Sequence, residues 1–262
     1  MAYATTSDGT KISYSDHGGS GSPVLLVHGI TESAASWEPI VERLAASRRV
    51  LTMDLRGHGA SGLADRYDLE AMASDVAAVV EATNVAGQVH LVGHSLGGAV
   101  VSAAGAALPV ASVVDVDQSL QLGAFKAQLG EIEMMLRDPA TFGGVIDGMF
   151  RQMAGDKISA EAFEHVHNNR RPNQDVVLGV WELLFTMPEA EISAVVDQAL
   201  AAYAGRDVPY LALFGIDPGD AYADWLGQHI AGAQVELWAE HGHYPHLVDP
   251  DRFVARLQEF WA

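Results

Sequence analysis

Val89-His90-Leu91-Val92-Gly93-His94-Ser95-Leu96-Gly97-Gly98-Ala99-Val100-Val101-Ser102-Ala103-Ala104 is the stretch on which the reading of this chain turns. An apolar run leads into the pattern G-x-S-x-G at Gly93 to Gly97, and a run of small helix formers follows. Strand, tight turn, helix is the order that forces a serine onto a sharp bend with its hydroxyl outward. The glycines belong to that geometry, because the turn brings backbone and helix too close together for side chains.

Working outward, the same alternation repeats on both sides. Residues 3–6 and 11–15 read as a hairpin around Ser7-Asp8-Gly9-Thr10. Val24-Leu25-Leu26-Val27 is apolar throughout, as a central parallel strand should be. The pattern then predicts a helix over 37–46, a strand over 50–53, and a helix capped by Asp68 running to about Thr83. The strand under the serine covers 89–92, its helix 97–107, and a further strand 110–116. Between about 118 and 205 no strand is legible. Helical patterns occupy 125–136, 141–153, 160–168, 174–185 and 189–203. The sheet resumes with a strand at 210–214, a helix at 222–229, a strand at 234–237 and a last helix from Pro250 to about Trp261. This predicts an α/β fold: a mostly parallel eight-stranded sheet with helices on both faces and an inserted all-helical lid. The expected division is a core of residues 1–117 and 206–262, with a lid of residues 118–205.

Composition removes several classes of function. The 262 residues carry 34 acids against 15 bases, a net charge of −19, and such a field repels phosphate backbones and anionic lipid surfaces. Nucleic acid and membrane are therefore not expected partners, and a small-molecule substrate is. Cysteine is absent, which excludes disulfides and thiolate metal sites. The first residues lack the basic and apolar regions of a signal peptide, so the expected location is cytoplasmic, as a monomer or homodimer. Residues 95–114 form an uncharged run of about twenty, near membrane-spanning length. Pro109 interrupts it, and a buried helix followed by a buried strand accounts for it. His241, His243 and His246 have no acid or thiolate at metal-site spacing, and residues 93–98 lack G-x-G-x-x-G spacing. Neither metal nor cofactor is expected.

Four ordered motifs together resemble the α/β-hydrolase family across nearly the whole chain. They are His28-Gly29 after the third strand, Asp54-Leu55-Arg56-Gly57-His58-Gly59-Ala60-Ser61 after the fourth, the serine turn, and Gly242-His243-Tyr244-Pro245-His246-Leu247 near the end. The resemblance implies a Ser-His-Asp triad with Ser95 as nucleophile, a weak one at neutral pH without an adjacent base. His243 is the expected base, flanked by Gly242 and an apolar pair, with His241 and His246 as its rivals. His28, His58 and His94 read as loop residues near the site. The acid is expected from Phe214-Gly215-Ile216-Asp217-Pro218-Gly219-Asp220, with Asp217 the best match. That loop is about one residue shorter between glycine and acid than the commonest family form, which keeps Asp220 open. Some members of the family supply the acid one strand earlier, where Asp117 stands. Asp54 reads as a tie for its own loop.

The resemblance places the oxyanion hole at the backbone N–H groups of Ile30 and Leu96. Gly29, His94 and Trp181 are the expected substrate-binding residues. Met134, Met135, Met149, Phe150, Met153, Phe185 and Met187 accompany Trp181 in the insertion. They read either as a pliable ceiling over an apolar substrate or as ordinary helix packing. The activity implied is a serine hydrolase cleaving a small, mostly apolar carboxylic ester or lactone through an acyl-enzyme. Serine at the turn sets the chain apart from the aspartate-dependent dehalogenases and epoxide hydrolases. A cofactor-free C–C bond hydrolase or perhydrolase with the same triad stays open, because lid and pocket select the reaction. So does a ligand sensor with slow turnover.

Overall fold

The computed structural model describes every residue from 1 to 262 except Ala86. Its strands are β1 (Ala2–Thr5), β2 (Lys11–Asp16), β3 (Pro23–Val27), β4 (Arg49–Met53), β5 (His90–His94), β6 (Ser112–Val116), β7 (Tyr210–Phe214) and β8 (Gln234–Leu237). They form one sheet in the order β1-β2-β4-β3-β5-β6-β7-β8. Pairing is antiparallel from β1 through β2 to β4 and parallel from there on. This is the eight-stranded, mostly parallel sheet that the alternation predicts.

The continuous apolar character of the central strands has a simple cause. On β3, Leu25 and Val27 enter one buried layer while Val24 and Leu26 enter the other. On one face they meet α2 (Leu69–Ala82) and α3 (Leu96–Ala107), through residues such as Met72, Val76, Val100 and Ala104. On the other they meet α1 (Glu38–Leu44) and the last helix (Pro250–Phe260), through Ile40, Leu44, Phe253 and Leu257. Each such aliphatic side chain fully buried is worth about 1.5–3 kcal/mol relative to exposure. Both faces of the sheet are thus covered, as parallel pairing requires.

Between β6 and β7 the chain is helical: α4 (Gly123–Arg137), α5 (Phe142–Ala154), α6 (Ala160–Asn169), α7 (Gln174–Thr186), α8 (Glu189–Leu200), then the 3₁₀ turn Ala201–Tyr203. These helices share a third apolar cluster, in which Leu136, Ile146, Phe150, Val177 and Trp181 meet Ile30 and Tyr244 from the sheet's connecting loops. The insertion therefore sits over the end of the sheet that carries the serine turn. After β7 come α9 (Tyr222–His229), α10 (Pro245–Val248) and the final helix α11 (Pro250–Phe260). Two details differ from the sequence reading. The helix expected over 37–46 is a 3₁₀ turn, Ala34–Trp37, followed by α1, which carries Pro39 in its first turn. The one-turn α10, also opened by a proline, is too short to show a hydrophobic period. No described helix is long and apolar enough to cross a membrane.

Candidate active site

Ser95 has φ 52° and ψ −125° between β5 and α3. A non-glycine residue in that region is strained and persists only where its surroundings hold it. Here the Ser95 N–H donates to the Val116 carbonyl at 2.9 Å, and its carbonyl accepts the Gly98 N–H at 2.7 Å. The bend is possible because both glycines allow close approach. A Cβ on Gly93 would lie 2.0 Å from the Gly97 oxygen, and one on Gly97 would lie 2.2 Å from the Val27 oxygen.

His243 is held from three directions. Its Nδ1–H donates to Asp117 Oδ2 at 2.7 Å. Its N–H donates to the Met153 carbonyl at the end of α5 at 2.9 Å. Its carbonyl accepts from His94 Nε2–H at 2.7 Å. With Nδ1 as the donor, Nε2 keeps its lone pair. That atom is buried, has no partner among the described residues, and belongs to a ring lining the same cavity as Ser95. Burial pushes the His243 pKa below its ordinary value, against the opposing pull of Asp117. His241, by contrast, packs on Trp238 and faces Ala239, and His246 is buried against Trp37.

The carboxylate on His243 is Asp117, not Asp217. Asp117 is buried at the end of β6, while Asp217 and Asp220 are exposed. Asp217 turns back on its own loop and accepts the Gly219 N–H at 2.8 Å. The loop expected to supply the acid supplies donors instead: Gly215 and Ile216 N–H bond to Asp117 Oδ1 at 2.7 and 2.9 Å. Both carboxylate oxygens of Asp117 are thus engaged, one by the imidazole and one by two amides. Asp54 ties its loop, accepting from the amides of Ala34 and Ala60.

The Ile30 and Leu96 amides have no acceptor among the described residues, and both residues line a cavity of about 690 Å³ together with Ser95. Trp181 lines it too, edge-on to Phe125 at 5.7 Å. Gly29 and His94, the other two expected substrate-binding residues, are not on its wall. A Cβ at Gly29 would already sit 3.2 Å from Ser95 Cβ, and the buried His94 ring packs at a tilt among His243, Tyr244 and His246. Of the insertion's methionines, Met149 and Met153 face this cavity, whereas Met134 and Met135 are exposed.

Two further buried carboxyls near these residues are marked by none of the motifs, Glu32 and Asp115. Glu32 accepts the Tyr244 hydroxyl at 3.0 Å and the Gly29 N–H at 3.4 Å, with His94 Nδ1 at 3.7 Å. Its signal was a lone carboxylate in the otherwise uncharged run 24–37. Asp115, two residues before Asp117, has its pKa pushed well up by burial and by the neighbouring Asp117 charge. No group of His and acidic residues able to hold a metal occurs among the described residues.

A strained serine between strand and helix, a histidine locked on a strand-end carboxylate and a helical cover together define one class of protein. The alpha/beta hydrolase family model matches residues 24–256, and the chain belongs to that family. Among individual relatives, the chain is 43% identical over 105 residues to a non-heme chloroperoxidase of Streptomyces lividans, spanning 39% of this chain and 38% of that one. It is 44% identical over 105 residues to the bifunctional esterase/perhydrolase DCH of Acinetobacter calcoaceticus, with the same coverage, 39% and 38%. The chain thus matches little more than a third of the length of these two relatives. The solved structure of the esterase RhEst1 from Rhodococcus sp. ECU1013 is 26% identical, with a TM-score of 0.74 over 99% of this chain and 98% of that one.

Proposed function

We propose that the chain is a serine hydrolase cleaving a small, mostly apolar carboxylic ester or lactone, with Ser95, His243 and Asp117 as its triad and residues 118–205 as its lid. His243 Nε2 takes the Ser95 proton as Oγ attacks the substrate carbonyl carbon. The amides of Ile30 and Leu96 hold the resulting oxyanion, each worth about 3 kcal/mol in comparable sites. The same proton then passes to the departing alcohol, leaving an acyl-serine. Water, deprotonated by His243, attacks that ester and releases the acid and the free serine. Asp117 keeps the imidazole in the tautomer with Nε2 free and stabilises it when charged.

The observation that carries this reading is the 2.7 Å bond between His243 Nδ1 and Asp117, which leaves a buried, unpartnered Nε2 facing the serine's cavity. The test is Ser95→Ala, measured with 4-nitrophenyl butyrate and with a fluorophosphonate label. A fall of about 10⁶ in kcat with loss of labelling is expected. Retained turnover in a folded variant overturns the assignment.

Peracid formation is the second reading, favoured by the similarity to DCH, which is described as an esterase/perhydrolase. In it hydrogen peroxide replaces water as the group attacking the acyl-serine. The two readings separate by whether added peroxide diverts the acyl group to peracid.

A further inference from the structure

Ser95 lines two adjoining cavities, one walled mainly by apolar side chains and one richer in polar groups. The cavity of about 690 Å³ that contains Ile30 and Leu96 is walled by side chains such as Leu122, Phe125, Met149, Trp181 and Ile192. Its charged lining residues are the exposed Asp65, Arg66, Glu70 and Glu182 and the half-buried Asp68, with Arg66 paired to Asp68 and Glu70 at 2.8 and 3.1 Å. It runs on into a mostly apolar trough of about 540 Å³ along α3, the two sharing Leu69, Glu70, Ala99, Leu122, Val195 and Val196.

The second cavity, of about 670 Å³, contains Ser95, Asp117 and His243 and shares Phe125 and Met153 with the first. Gln118, Ser119, Gln121, Gln128 and Ser193 supply neutral hydrogen-bonding groups there. Glu189, Asp197 and Asp217 supply negative charge, and no lysine or arginine lines it among the described residues. One of these acids faces a base: Asp197 lies 3.0 Å from His229 Nε2. The buried, unpartnered Nε2 of His243 marks this cavity as the place where a proton is handed over.

Within the serine-hydrolase reading, on which this rests, that proton goes to the leaving alcohol, so the alcohol lies on the His243 side. The acyl group is left with the apolar side. We propose that the natural substrates are esters of an extended apolar acyl group with a polar alcohol that is cationic or uncharged, and that the acidic second cavity rejects alcohols carrying a carboxylate.

Charges at this distance, partly exposed, act through a high effective dielectric and are screened by salt. The effect is therefore a matter of fold-change and not of all or nothing. The test is a set of octanoyl esters differing only in the alcohol: choline, its uncharged isostere 3,3-dimethylbutan-1-ol, and 3-hydroxypropanoate. The expected order in kcat/KM is choline above the isostere by about tenfold at low ionic strength, and 3-hydroxypropanoate lowest. The gap should narrow in 0.5 M sodium chloride, with a Debye length of only a few ångström. Glu189→Gln together with Asp197→Asn should bring the choline-to-isostere ratio close to one, a ratio that a mere loss of folded protein leaves untouched. Shortening octanoyl to acetyl at constant alcohol should lower kcat/KM by about tenfold or more, because apolar area leaves the trough.

A ratio near one, an order with 3-hydroxypropanoate fastest, or acetyl esters faster than octanoyl esters overturns the inference. Ser95→Ala separates this failure from that of the underlying reading. If the esters are cleaved only with Ser95 present but without regard to alcohol charge, the hydrolase stands and the division of the site falls. If Ser95→Ala still cleaves them, or the wild-type enzyme cleaves none, both fall.

Discussion

The ends of β6 and β7 look alike in sequence and do opposite things. Each strand runs straight into a loop with an aspartate: Val116-Asp117 in one case, Phe214-Gly215-Ile216-Asp217 in the other. At β6 the aspartate follows the strand at once, in a left-handed conformation with φ 55°, and its carboxylate is buried under His243. At β7 the loop presents two backbone amides to that carboxylate, and its own aspartate turns out to solvent. A side chain becomes the acid of a triad because its backbone aims it inward and neighbouring donors hold its charge. Residue type at a familiar distance from a glycine does not suffice.

The sharpest way to break this comparison is to neutralise each aspartate in turn. Asp117→Asn should lower kcat for 4-nitrophenyl butyrate by about 10⁴, because the amide can hold the wrong imidazole tautomer. Asp217→Asn should leave kcat for this uncharged ester within about twofold, because Asp217 bonds its own loop and not His243. Circular dichroism and a thermal melt check that both variants fold. Equal losses, or a larger loss at Asp217, would reverse the roles of the two loops.

How much of this was legible beforehand follows from the same contrast. The sheet, the serine turn and the helical insertion were readable because each is written in local periodicity. Leu25 and Leu26 face opposite sides of a buried strand, and Gly93 and Gly97 flank a turn that tolerates nothing larger. The acid was not decidable, although both aspartates were visible. The choice depends on Gly215 and Ile216 amides meeting a carboxylate about a hundred residues away in the chain, and no local pattern records such a meeting. The missing residue in the β7 loop was the one local hint. His94 was misplaced for a related reason. Adjacency to Ser95 in sequence suggests the pocket, but alternation along β5 turns its ring onto the His243 carbonyl.

A subtler break removes a donor and leaves the acid in place. Ile216→Pro deletes the N–H that donates to Asp117 Oδ1 at 2.9 Å, on a residue whose side chain is exposed. Losing a hydrogen bond to a buried charge costs about 1.5–3 kcal/mol. The expected result is a fall in kcat of about 10- to 100-fold with little change in KM. An unchanged kcat would show that the β7 loop merely passes near Asp117.

The pH profile sharpens the comparison at one remove. Protonated His243 cannot accept the serine proton, so kcat/KM falls as pH drops through the histidine's pKa. Burial places that pKa below the ordinary 6.5, so activity should persist into mildly acidic solution. Asp117 opposes the burial effect. The residual activity of Asp117→Asn should therefore have its acid limb moved further down, whereas Asp217→Asn should leave the limb where it is. A limb that moves in Asp217→Asn would tie that distant carboxylate to the imidazole after all.

The smallest effect belongs to a third aspartate on the same strand end. Asp115 is buried one register step below Asp117, with Oδ2 3.4 Å from the Tyr210 hydroxyl and Oδ1 unpartnered among the described side chains. Two ionised carboxylates so close in so dry a place repel each other, and burial with the Asp117 charge raises the Asp115 pKa and favours its neutral form. Its function is then to fill space and form neutral hydrogen bonds while leaving the negative charge to Asp117. An asparagine has nearly the same shape and is neutral at every pH. Asp115→Asn should therefore leave kcat within about threefold and the melting temperature at neutral pH no lower than that of the wild-type protein. It should also remove the stability that the wild-type protein loses as pH rises from the ordinary carboxylate range up to the raised Asp115 pKa. A large loss of activity at neutral pH would mean that Asp115 is ionised beside Asp117, and that the β6 end carries its charge on two residues instead of one.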